Sequence, residues 1–150
     1  VLKDFSKKQL VELFDYLAIL DLAHEVKHIV DKKIWIALHE CLSPAHRRFL
    51  TMSMKQKKTL SPPKPLLLGW AGDCDLLNTI LQMRGIQRLA YSLSGENTSF
   101  VWHLAHKLDN GRGKMLLNYY SKKAHPKVTS VMQQETQHVL NYLKETSVAK

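Results

Sequence analysis

IWIALHECLSPAHRRFL, Ile34 to Leu50, reads as a helix, a sharp turn at Ser43-Pro44 and the start of a second helix. A serine followed by proline is an N-cap with a first-turn proline behind it. The pattern returns 67 residues later, from Val101 to Leu117, as VWHLAHKLDNGRGKMLL. Trp35 answers to Trp102, His39 to His106, Arg47 to Lys114 and Leu50 to Leu117. At the same offset Leu13 meets Ile80, Phe14 meets Leu81, Ile19 meets Ile86, Leu22-Ala23 meets Leu89-Ala90, and Lys55 meets Lys122, without a gap. Any two amphipathic helices share leucines, but two Trp-x-x-x-His matches do not follow from that. The chain therefore reads as a duplicated helical module. Each copy is too thin to bury its own apolar side, and stacking the copies completes a core.

Working outward, Ser6 caps a helix over Lys7 to Ala18, with Leu10, Leu13, Phe14 and Leu17 as its apolar stripe. Leu20 to Val30 reads as a second helix, with Asp21 as a candidate cap. Lys32 to Leu42 and Ala45 to Met54 follow. The stretch from Lys55 to Pro65, KQKKTLSPPKP, is a linker, because its prolines cannot sit inside a helix. Leu66 to Trp70 is expected to tie that linker back to the core. Beyond it, Leu76, Leu77, Ile80 and Leu81 form the face of a helix that Gly85 is expected to break. Thr98 to Leu108, Arg112 to Tyr120 and a last helix opened by His125-Pro126 complete the order. The expected fold is all-α: a short-helix bundle or superhelix of two related helical units joined by a Pro/Lys-rich linker. Unit 1 covers residues 1–55, the linker 56–71, unit 2 72–124, and a C-terminal helix and tail 125–150. Trp35, Leu38, Phe49, Trp102 and Leu116 are the expected core.

Composition bounds the function classes. The chain has 150 residues and a net charge of +9. No apolar run approaches a bilayer-spanning length, and the longest, Leu17 to Leu22, is interrupted by Asp21. The first residues, LKDFSKKQLVELF, mix charge with apolar side chains, unlike a secretory signal. Two cysteines are too few for a disulfide framework. They suggest a reducing compartment and a cytoplasmic location, with Cys41 a buried thiol.

His24-Glu25-Val26-Lys27-His28 is an HExxH pattern, in which two histidines share a helix face and can bind zinc while the glutamate acts as general base. No third ligand at a diagnostic spacing completes it, and the equivalent positions of the second copy are Tyr91, Ser92 and Gly95. His24 and His28 are therefore weak metal candidates, and a helix that carries the pattern on its polar face is the expectation. Gly111-Arg112-Gly113-Lys114 resembles part of a phosphate loop but lacks its glycine spacing and terminal hydroxyl. The expectation is no enzyme, no catalytic residue and no cofactor.

Charge is more informative. Between Glu40 and Asp73 there is no acid, and between Asp109 and Glu135 there is again none. Arg47, Arg48, Lys55, Lys57 and Lys58 fall in the first window, and Arg112, Lys114, Lys122 and Lys123 in the second. The windows correspond in the repeat, so they are expected to form two lobes of one positive surface. That surface suits an acidic protein partner, with nucleic acid the alternative through phosphate contacts. Ile34 to Leu50, Gly85 to Leu117 and the His125-Pro126 start of the last helix resemble the helical-repeat domains of flagellar switch and type III secretion assembly proteins. The resemblance covers about two thirds of the chain. It implies an adaptor that scaffolds between a membrane ring and cytoplasmic machinery in a secretion or motor assembly. The basic linker, Lys55 to Lys64, is not part of that family's pattern.

Overall fold

The computed structural model of the chain describes residues 4–27, 31–55, 66, 67, 69–122 and 125–148. Among them are seven helices and no strand: α1 (Lys7–Val26), α2 (Lys32–Cys41), α3 (Pro44–Met54), α4 (Cys74–Ser92), α5 (Thr98–Lys107), α6 (Asn110–Ser121) and α7 (Pro126–Val148). Adding 67 to the bounds of α1, α2 and α3 lands within one residue of the bounds of α4, α5 and α6. The duplication read from the Trp and His matches is thus also a duplication of helix lengths and turns.

Ser6 caps α1 through a reciprocal capping box with Gln9. Ser43 and Pro44 open α3 as their types require, and Asp31, Asp73, Asn97 and Asp109 cap α2, α4, α5 and α6. Two sequence boundaries fail. The expected break near Ile19 is absent, because α1 is buried on nearly all sides from Leu10 to Val26, and such a helix carries no single stripe to count. Asp21 is therefore no cap. It lies inside α1 and is buried.

Gly85 does not break α4 either. A Cβ at this position would fall on the Phe14 carbonyl, so the glycine lets α1 and α4 touch backbone to backbone. The two helices run in the same direction. Gln82 donates to the Val11 carbonyl at 2.9 Å and to the Asp15 carboxylate at 2.8 Å, Gly85 meets Phe14, and Arg84 and Arg88 reach Asp21. The bonds Asp15–Gln82 and Asp21–Arg88 each join residues 67 apart. Equivalent residues meeting one another is the mark of an approximate twofold axis running between the paired helices.

α3 packs on α1 as α6 packs on α4. The middle helices differ. α5 lies tight on α6, where a Cβ at Gly113 would stand 2.6 Å from the Ala105 carbonyl. The equivalent position in the first copy is His46, whose ring packs edge-on against Tyr16 at 4.9 Å. With an imidazole in place of hydrogen, α2 cannot approach α3 in the same way, and it packs toward the start of α4. α7 then straddles both copies. Its Glu135 bonds Arg88, its Gln133 donates to the Ser92 carbonyl, and its Tyr142 stacks on Tyr16 and Phe49.

The close approach at Gly85 gives a sharp expectation. Gly85→Ala should lower stability by about 1–3 kcal/mol through forced separation of α1 and α4, although alanine is the better helix former. Gly95→Ala, where a Cβ meets nothing, should stay within about 0.5 kcal/mol. Urea unfolding followed by circular dichroism compares them. Stabilisation by Gly85→Ala would show that the helices do not touch there.

Candidate interaction surface

Glu25, the would-be base of the HExxH pattern, is committed to holding the chain. Its two carboxylate oxygens accept the Leu66 and Leu67 backbone N–H groups at 2.6 and 2.8 Å. Leu66 and Trp70 are buried, and the Trp70 indole donates to the Asp73 carbonyl, so the stretch after the linker docks on the core as its sequence suggests. α1 ends at Val26, and His28 lies outside the described residues. Among the described residues no group of three His, Cys, Asp or Glu side chains could hold a metal ion. The Gly111-to-Lys114 stretch is likewise a packing element, with Gly113 against Ala105.

Cys41 is not a free thiol. It is disulfide-bonded to Cys74, 33 positions further along the chain, and the bridge ties the end of α2 to the first residue of α4. The sequence held one signal for this. Neither cysteine has a cysteine at its equivalent position in the repeat, and each stands at a helix end.

The cations fall into unlike groups. Arg48, Lys55, Lys114 and Lys122 are exposed and Arg47 is half-buried. The Lys122 ammonium stands 5.6 Å from the centre of the Tyr119 ring. Arg112 departs from its expected role as a partner-binding residue. It donates to Gln82 and Asp109 within the fold, and this bond holds the Asp109 carboxyl below the usual carboxylate range. Lys57, Lys58 and Lys123 lie outside the described residues. α3, which carries Arg47 and Arg48, rests on α1, and α6, which carries Lys114, rests on α4 and α5.

Two arginines, assigned no role from the sequence, are the most buried cations among the described residues. Arg84 and Arg88 meet Asp21 at 2.9 and 2.6 Å, and Arg88 reaches Glu135 at 2.6 Å. Their spacing of four on α4 was the available signal, since it puts both on one helix face opposite Asp21. Burial also pushes the neighbouring Asp15 carboxyl up, against the hydrogen bond from Gln82, and pushes the Tyr16 phenol up to about 12.

Leu38, Phe49 and Leu116 are fully buried, as expected of the core, and Trp35 is half-buried against it. Trp102 is not core, for 54% of it is exposed. It stacks on His106, whose Nδ1–H donates to the Trp102 carbonyl at 2.9 Å, and Trp35 and His39 repeat that arrangement. These local bonds explain the Trp-x-x-x-His match without burial. Leu76 also departs from its expected place, because Leu77 and Leu81 point inward while Leu76 is exposed. Leu76, Ile80 and Met83 lie at positions i, i+4 and i+7 of α4, with Leu76 and Met83 47% and 43% exposed and Ile80 half-buried against the core between them.

Compared with known proteins, the chain matches no family model, no curated protein and no solved structure, and the resemblance to flagellar and secretion proteins rests on its own residues. No helix among the described residues is long and apolar enough to cross a membrane.

The Cys41–Cys74 bridge is directly testable. Protein purified without reductant should resist alkylation by iodoacetamide until it is unfolded and reduced. Loss of a bridge closing a loop of this length should cost about 3–4 kcal/mol in the Cys41→Ser, Cys74→Ser double variant. Two alkylated cysteines in the unreduced protein would contradict the pairing.

Proposed function

We propose that the chain is a non-enzymatic helical adaptor that docks an acidic protein partner. The supporting observation is how charge is divided between inside and outside. Asp15, Asp21, Glu25 and Glu135 are bonded within the fold, against only two buried arginines, Arg84 and Arg88, while Arg48, Lys55, Lys114 and Lys122 face solvent. A chain of net charge +9 that turns acids inward presents a surface more basic than its composition. Such a surface steers an acidic partner and suppresses basic ones. The role of Glu25 in holding Leu66 and Leu67 weighs against the zinc hydrolase. Nucleic acid, held by the same cations through phosphate contacts, is the second reading. The bridge between Cys41 and Cys74 favours an oxidising compartment over the reducing cytoplasm that the cysteine count suggests. Membership of a secretion or motor assembly rests on the resemblance alone.

The test is a pull-down with the full chain, with and without nuclease. The expected result is an acidic protein retained after nuclease treatment and released by salt. Arg48→Glu with Lys114→Glu should weaken retention about tenfold or more. Retention lost to nuclease would favour the nucleic-acid reading, and retention unchanged by the charge reversals would defeat both.

A further inference from the structure

The near-twofold relation between the copies exposes an asymmetry. On α1 the ridge of Leu13 and Tyr16 is buried. Tyr16 is covered by His46 and Phe49 of α3 and by Tyr142 of α7, whose ring centre is 6.0 Å from that of Tyr16 and 4.7 Å from that of Phe49. The equivalent ridge on α4 is Ile80 and Met83. There His46 is replaced by Gly113 and Phe49 by Leu116, both smaller, and Met83 is open to solvent. One turn earlier, exposed Gln9 of α1 is replaced by exposed Leu76 of α4. The second copy thus carries a leucine where the first keeps a polar side chain.

The helix that follows α6 is α7, which packs on both α4 and α1 and lays its Tyr142 over Tyr16 of the first copy. Its twofold image would be a helix following α3, and it would cover Met83. The sequence after α3 holds Pro62, Pro63 and Pro65 within residues 56–65, which lie outside the described residues, and Leu66-Leu67 rejoins the core at Glu25. Met83 therefore lacks the aromatic cover that Tyr142 of α7 gives its equivalent, Tyr16. A second copy of the chain is a poor occupant, since it would bring a further +9 of like charge.

We propose that Leu76, Ile80 and Met83 of α4 dock an amphipathic helix of the acidic partner, with an aromatic side chain over Met83 in the place that Tyr142 takes over Tyr16. This rests on the adaptor reading and names its apolar anchor. Residues at i, i+4 and i+7 are the usual anchors of helix-on-helix recognition. Cations on the neighbouring α6 then meet the acidic flank of the bound helix.

The full chain is prepared with the photo-reactive residue p-benzoylphenylalanine at position 83, at position 76, or at position 9 as the control on α1. Each is irradiated with the partner retained in the nuclease-treated pull-down. Adducts are expected from 83 and 76 and not from 9, mapping to an acidic segment with apolar residues at helical spacing. Met83→Glu should weaken retention at least tenfold with an unchanged melting temperature, and Met83→Ala serves if the glutamate variant does not fold. Adducts to residues 55–65 of the same chain, adducts to a second copy, or no adduct would overturn the proposal. Full retention by the Met83 variants alongside loss on reversing Arg48 and Lys114 would sink this face and leave the adaptor reading standing. Full retention by all of them would defeat both.

Discussion

Asp21 sits in the middle of α1, in the most apolar stretch of the chain, with its carboxylate on Arg84 and Arg88 of α4. Arg88 reaches on to Glu135 of α7. Two acids and two arginines make a neutral buried set that joins three helices. An uncompensated buried charge is costly, so each member requires the others. Hydrophobic faces bring α1, α4 and α7 together without fixing their register, because leucines slide past one another at small cost. The charged set fixes it. Only one alignment of α1 and α4 puts Asp21 between both arginines and Gln82 beside Asp15, and that alignment also brings Gly85 to the Phe14 carbonyl.

The same alignment makes the duplication visible as geometry. Asp21 and Arg88 are equivalents under the repeat, as are Asp15 and Gln82. In each pair an acid of the first copy faces a donor of the second. The copies have therefore diverged at their shared axis into complementary halves. They have diverged again at the middle helices, where the exchange of His46 for Gly113 lets α5 lie on α6 and leaves α2 to be tied down by Cys74. α7 packs on both copies, but its Tyr142 covers Tyr16 of the first while Leu76 and Met83 of the second stay exposed.

Much of the fold was legible. The Trp-x-x-x-His echo, the Ser43-Pro44 turn and the gapless offset identify the paired helical units, since caps and turns are local chemistry. The docking of Leu66 to Trp70 also follows from a run of apolar residues after a proline-rich linker. What failed to show depends on contacts across the chain. α1 looked like two helices because a helix buried all round has no stripe. Gly85 looked like a breaker because its close partner, Phe14, is 71 positions away. Cys41 looked like a buried thiol because its bridge partner lies on another helix. The interaction surface was the least legible part, since charge windows in sequence cannot tell Arg112, bonded inward, from Lys114, which faces water. Nor can periodicity alone tell which of Leu76 and Leu77 is covered.

The functional reading follows from that division between inward and outward side chains: acids and two arginines build the centre, and the remaining cations and one apolar stripe are left outside. The centre is where the account is most exposed to refutation. Equilibrium unfolding of Asp21→Ala in urea measures it directly. Removing the carboxylate that Arg84 and Arg88 share, with Arg88 left only its bond to Glu135, should cost about 3–5 kcal/mol. A loss within about 0.5 kcal/mol, as for an ordinary surface substitution, would contradict the claim that this buried set holds the two copies and α7 in register.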